Sequence, residues 1–188
     1  MLYVPEIHHR RSTRLPDYDY AQSGTYFITI CTQGRTCLFG DVVDGEMQLN
    51  KLGRIVHEEW LRTESIRSEV ELDAFLVMPN HFHGVVVITT PAPPAGRTSG
   101  SVGTHGRASL LQRAPKSLGS LVAGFKSIVT KRINQLRNTA GVPVWQSNYY
   151  ERIIRDEKEL NAVRQYIVGN PAKWPEDKEN PLNVKGYP

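Results

Sequence analysis

Phe75-Leu-Val-Met-Pro-Asn-His-Phe-His-Gly-Val-Val-Val-Ile88 is the stretch whose reading decides the fold. It reads as two apolar strands broken at Pro79-Asn80 and joined so tightly that an antiparallel hairpin is the natural arrangement. Side chains alternate faces along a strand at about 3.3 Å per residue, which puts His81 and His83 on one face, about 6.5 Å apart at the backbone. Phe82 then points into the opposite face. Two imidazoles at that distance are able to converge on one ion, and equally able to decorate a sheet surface. The alternation leaves both readings open.

Working outward, Thr25-Tyr-Phe-Ile-Thr-Ile-Cys-Thr32 is β-branched and aromatic, a strand. Arg35 to Leu49 is hairpin-like, with Asp44-Gly45 marking its turn. From Leu52 the apolar period becomes helical: Leu52, Ile55, Val56, Trp60 and Leu61 recur at three and four residues. His57 falls within this helix and reads as a structural or surface residue. On the other side, Ser117 to Arg137 is an amphipathic helix with Leu118, Leu121, Val122, Phe125, Ile128, Val129, Ile133 and Leu136 as its buried stripe. Arg152-Ile-Ile-Arg155 is strand-like. Asp156 caps a last helix with Glu159 in the capping-box position, and Gly169-Asn170-Pro171 stops it. This order predicts an α+β fold, an antiparallel sheet with helices packed on one face and the other face open.

One domain spanning residues 1–188 is expected, with a basic N-terminal arm (1–24), a flexible loop (91–115) that includes His105, and a polar, poorly ordered tail (175–188). No apolar run approaches the roughly 18 residues of a membrane span, and Met1-Leu-Tyr-Val-Pro-Glu lacks the layout of a signal peptide. Cys31 and Cys37 form no C-x-x-C pair and read as reduced thiols of a cytoplasmic protein. Charge is segregated: Arg97 to Tyr150 holds eight Lys and Arg and no acid, whereas Asp41 to Asp73 holds nine acids against four bases. Such asymmetry fits a polyanionic partner, or a solvated surface of uneven charge. On the first reading, Lys126, Lys131 and Arg132 on the second helix would lie along a phosphate backbone.

Tyr166 sits on the closing helix, in step with Ala162 and Asn170 at four-residue spacing. A phenol and an amide thus share one side of a helix end. The plain alternative is a half-buried Tyr beside an Asn that caps the helix before Pro171.

His81-Phe82-His83 resembles the His-hydrophobic-His signature of the HUH single-strand nucleases. More closely, the chain resembles the REP-associated tyrosine transposases. The resemblance rests on Arg10-Arg-Ser, Tyr18-Asp-Tyr20, Thr25 to Gln33, Val77-Met-Pro-Asn-His-Phe-His83, Ser117-Leu-Gly-Ser, Val144-Trp-Gln146 with Tyr149-Tyr150, and Tyr166-Ile-Val-Gly-Asn-Pro171. It implies a ferredoxin-like core and a divalent metal, Mg²⁺ or Mn²⁺, held by His81, His83 and Asn170, with Tyr166 as nucleophile. It further implies nicking and rejoining of single-stranded DNA through a covalent phosphotyrosine, on hairpin repeats, by a monomer or homodimer. Arg10, Arg11, Arg14, Lys116, Lys126, Lys131 and Arg132 are the expected DNA contacts. Two rival readings are a non-catalytic single-stranded nucleic-acid-binding protein and a zinc hydrolase. The second is disfavoured because no third His, Cys or carboxylate stands at ligand spacing to the histidine pair.

Overall fold

Alternation along two adjoining strands builds the centre of the molecule. In the computed structural model, which describes residues 22–89 and 116–183, strand β1 (Gly24–Cys31) pairs antiparallel with β5 (His81–Ile88). β4 (Val70–Val77) flanks β5, and β6 (Tyr150–Ile154) flanks β1, giving the order β4-β5-β1-β6. That is the antiparallel order of a ferredoxin-like βαββαβ core. A separate hairpin, β2 (Gly40–Val43) and β3 (Glu46–Leu49), turns at Asp44-Gly45, whose φ angles of 52° and 78° suit the tight turn read from the sequence.

Helices α1 (Lys51–Ile66) and α2 (Leu118–Arg137) cover one face. Asn50 caps α1 by accepting from the amides of Leu52 and Gly53, and Ser117 caps α2 by accepting from that of Ser120. Their stripes meet Tyr26, Ile28, Ile30, Phe82, Val86 and Ile88 in a dry aromatic core. Trp60 lies 4.7 Å from Phe82 and 5.1 Å from Phe125, ring to ring. Gly84 makes that approach possible: a Cβ there would stand 2.8 Å from the Phe82 ring and 2.9 Å from Trp60.

The α+β class is as read from the sequence, but the second face is not open. Helix α3 (Glu157–Gly169) lies across it, setting Leu160, Val163 and Ile167 on Phe27, Val85, Ala74 and Leu76. Periodicity shows that α3 buries a stripe without saying which side of the sheet receives it. A register shift in β4 between Leu72 and Phe75 re-aims Asp73 toward this helix. Both Asp73 oxygens pair with Arg164, at 2.9 and 2.6 Å, so the helix is pinned at its middle.

The tail also departs from expectation. Residues 171–176 and 181–183 form short 3-10 turns, and Asn180 is buried with its amide on the Trp174 carbonyl. Arg35 holds this segment from the other side, through the Lys178 carbonyl and the Glu179 carboxylate. The arm through residue 21, the 91–115 loop and residues 184–188 lie outside the described residues, and with them Arg10, Arg11, Arg14 and His105.

Candidate active site

His81 and His83 do share a face, and it is the face α3 crosses. Both are buried, at 0% and 3% exposure, where an exposed pair was expected. Their Nε2 atoms approach to 3.0 Å. Each ring is held from behind through Nδ1. Asn80 uses its Nδ2 to donate to the carbonyls of Arg35 and Glu179, at 3.0 and 2.6 Å, so its Oδ1 is left to accept from His81 Nδ1–H at 2.9 Å. With that proton fixed on Nδ1, His81 Nε2 carries a bare lone pair. His83 Nδ1 meets the Thr29 hydroxyl at 2.8 Å, a partner that serves either tautomer because it can donate or accept. Burial holds His81 down to about 4, and burial followed by the neighbouring His81 lowers His83 well below its ordinary value, so both rings are neutral at pH 7.

Asn170 completes the arrangement. Its backbone continues the helix at φ −64° and ψ −40°, and its side chain makes no cap bond. Among the described residues the buried amide oxygen has no hydrogen-bond partner, yet the side chain acts on both His81 and Tyr166. A buried carbonyl oxygen left unsatisfied is costly unless something else occupies it. The Tyr166 ring stands 5.3 Å from that of His83, and the residue remains 42% exposed. Burial, then the charge of Asp177, raises the phenol above its usual value, while the Asn170 amide opposes them.

The donor set fits a divalent ion. Ligands about 2.1 Å from one octahedral ion lie about 3.0 Å apart along an edge, the separation of the two Nε2 atoms. Two neutral imidazoles and an amide oxygen suit a hard or borderline cation. Cys31, the ladder partner of His81, turns its thiol to the Glu179 carboxylate at 3.6 Å, and burial and Glu179 push that thiol up to about 12. Among the described residues, no three His, Cys, Asp or Glu side chains gather as a metal cluster.

The expected DNA contacts do not gather here. Helix α2 lies on the opposite face, and two of its cations are engaged there. Lys126 donates to the carbonyls of Gln146 and Ser147, and Arg132 pairs with Glu58 and Glu59. Lys116 and Lys131 are exposed, also away from the histidines. What lines the cleft beside Tyr166 instead is Lys178, Glu179, Asn148 and Tyr150, around a cavity of about 370 Å³. Lys178 was missed because it belongs to a stretch that looked disordered; the one available signal was Asn180-Pro181 after Asp177, a turn pattern.

No family model matches the chain. An uncharacterized protein of Haemophilus influenzae is 39% identical to it over 176 residues, which is 94% of this chain and 96% of that one. The chain belongs to the same family. A solved structure of a REP-associated tyrosine transposase bound to a REP hairpin aligns with 85% of this chain and 74% of its own, at a TM-score of 0.51 and 18% identity. At that identity the likeness is one of fold, and the fold is REP-associated tyrosine transposase-like. Within it the closing helix carries Tyr166 and Asn170 to the histidine pair at one end of the sheet. No helix among the described residues is long and apolar enough to cross a membrane.

Proposed function

We propose that this protein nicks and rejoins single-stranded DNA, at or beside hairpin repeats, through a covalent bond to Tyr166. The observation that carries the proposal is the placement of the exposed Tyr166 phenol over His83, beside two facing Nε2 atoms and an orphaned amide oxygen. In the reaction Tyr166 Oη attacks phosphorus, a new O–P bond forms, and the bond to one deoxyribose oxygen breaks. That oxygen leaves with a proton, and the energy of the phosphodiester is kept in the phosphotyrosine for rejoining.

His81, His83 and Asn170 would hold a divalent ion, Mg²⁺ or Mn²⁺, whose contribution is to neutralise charge on the phosphoryl oxygens and favour phenolate. The chain's own part is to place and to exclude. Phe27, 6.1 Å from Tyr166 and edge-on to it, sets the ring's tilt. Leu160, Val163 and Ile167 fix the helix beneath it, and Asn80 keeps a lone pair on His81 Nε2. Lys178 beside the cleft is the cation best placed for the strand, while Lys116 and Lys131 on the far face suit a duplex part of the same molecule. A DNA partner in the cytoplasm fits the charge and the reduced thiols.

The test is to incubate the protein with hairpin-containing oligonucleotides and Mg²⁺ or Mn²⁺ and to look for a denaturant-resistant adduct. The adduct should map to Tyr166, vanish in Tyr166→Phe and in excess chelator, and persist in Tyr149→Phe and Tyr150→Phe. Tight binding with no adduct under either ion would establish the binding-module reading instead.

A further inference from the structure

Two adjoining hollows meet at Tyr166 and share Phe27 and Tyr150 with it. One is the cleft over His83. The other, of about 560 Å³, lies on the outer side of the phenol between α3 and the edge strand β6, and the cleft does not account for it. Its floor is Phe27. From that floor rise two tyrosine rings, Tyr166 at 6.1 Å and 89° and Tyr150 at 6.4 Å and 68°. Both tyrosines are left nearly half open to solvent, at 42% and 45%. Such exposure is unusual for rings seated against a buried phenylalanine, and it leaves aromatic surface available for stacking. The far wall is polar: Arg152 pairs with Glu159, Asp156 accepts from the Glu159 amide at 2.7 Å, and Lys158 stands exposed on the rim. Ala162, four residues before Tyr166, is small, and this is what leaves the space.

We propose that this hollow is a nucleobase slot, in which the base next to the scissile phosphate stacks on Tyr150. The idea rests on the cleavage reading above, since it places the phosphate at Tyr166. The chemistry of the walls selects the ligand class. A ligand that fits must be flat and aromatic to use the rings, and its linkage must suit the exposed Lys158 on the rim, as a phosphate does. It must also be attached to a group that reaches the neighbouring cleft. A base on a single strand meets all three conditions, and its stacking is tolerant of sequence. The volume lies within the about 300–1,000 Å³ of small-molecule sites.

The experiment uses the full chain in chelator, so that no strand is cut, and a hairpin oligonucleotide with single-stranded flanks. Each flank position in turn is replaced by an abasic residue, and affinity is measured for the wild type, Tyr150→Ala and Ala162→Phe. Ala162 is exposed on its helix, so filling the hollow there tests the slot even if the Tyr150 variant folds poorly. In the wild type, one abasic position should weaken binding about tenfold, in the range for losing one base–aromatic stack. Both variants should bind intact DNA about tenfold more weakly and lose nothing further at that position. Losses that simply multiply, or no sensitive position at all, would overturn the slot. Adduct formation with Mg²⁺ is scored separately on the same DNA. An adduct without this non-additivity removes the slot and spares the cleavage reading. Non-additivity without an adduct keeps the slot as a binding site and removes the cleavage reading.

Discussion

The two faces of β5 are built on opposite plans. On one, Phe82, Gly84, Val86 and Ile88 meet Trp60, Phe125 and their neighbours, where each side chain touches several others and none depends on a single partner. On the other, His81 and His83 are each held from behind by one hydrogen bond, to Asn80 and to Thr29. The apolar face is redundant and its failures are graded. On the polar face each ring has one partner behind it and the other ring in front, and its failures are close to all-or-none. The first makes the second possible, because side-chain packing from below fixes the β5 backbone. A single hydrogen bond is then enough to orient each imidazole.

This contrast is broken most severely from the apolar side. Trp60→Ala or Phe82→Ala should lower stability by about 3–5 kcal/mol in urea unfolding, as expected for emptying a packed aromatic site. Tyr166→Phe, at a half-exposed position, should stay within about 0.5 kcal/mol of the wild type while abolishing the adduct. Equal losses for the two kinds of variant would erase the distinction.

His81→Ala comes next. The ring is fully buried, so its loss strands Asn80 Oδ1 and the facing His83 nitrogen. Stability should fall by about 1–3 kcal/mol, and calorimetric titration should show no Mn²⁺ binding at the site. A variant as stable as the wild type would return the histidines to the exposed surface that alternation alone suggested.

Asn80→Ala sharpens the comparison of the two ring partners. It should weaken Mn²⁺ binding about 10- to 100-fold, and nitrogen-15 NMR should find the His81 proton moved from Nδ1 toward Nε2. Thr29→Val, which removes a partner that fixed no tautomer, should do less. An unchanged His81 tautomer in Asn80→Ala would show that the lock lies elsewhere.

The smallest effect concerns how α3 is held over the polar face. Asp73 has its carboxyl lowered by hydrogen bonds from Arg164, against a smaller opposing effect of burial. A folded-state value below the unfolded one means that the pair stabilises above the ordinary carboxylate range and is lost as pH falls through the folded value. The stability gap between wild type and Asp73→Asn should therefore be present at pH 6 and close only as pH falls below the ordinary carboxylate range. A gap that widened on acidification would have the wrong sign.

Much of this was legible in the chain. The two-residue alternation in Thr25–Thr32 and His81–Ile88 carries its own burial pattern, and so do the 3.6-residue stripes of α1 and α2 apart from Leu61, Ile128 and Leu136, which the structure leaves exposed. So does the Asp156 cap. What was not legible depends on contacts between distant segments. Asn80 meets Glu179 across 99 positions, and Arg132 meets Glu59 across 73. A basic helix therefore looked like a DNA surface when two of its cations were already engaged within the fold. The side of the sheet that α3 chooses was equally hidden, because a helical stripe records that something is buried and not against what. The tail was read by composition, which cannot see that backbone carbonyls at Trp174, Lys178 and Glu179 all find donors.

Asn80 has a consequence for how this protein tolerates change. Its amide grips the chain at 35 and at 179 by backbone carbonyls, groups that every residue type supplies. As far as these two bonds are concerned, the side chains at those positions are free to drift. The length of the chain there is not. Adding or removing one residue near 35 or 179 would shift a carbonyl off the amide, and the disturbance would arrive at the His81 proton without any residue of the site having been altered.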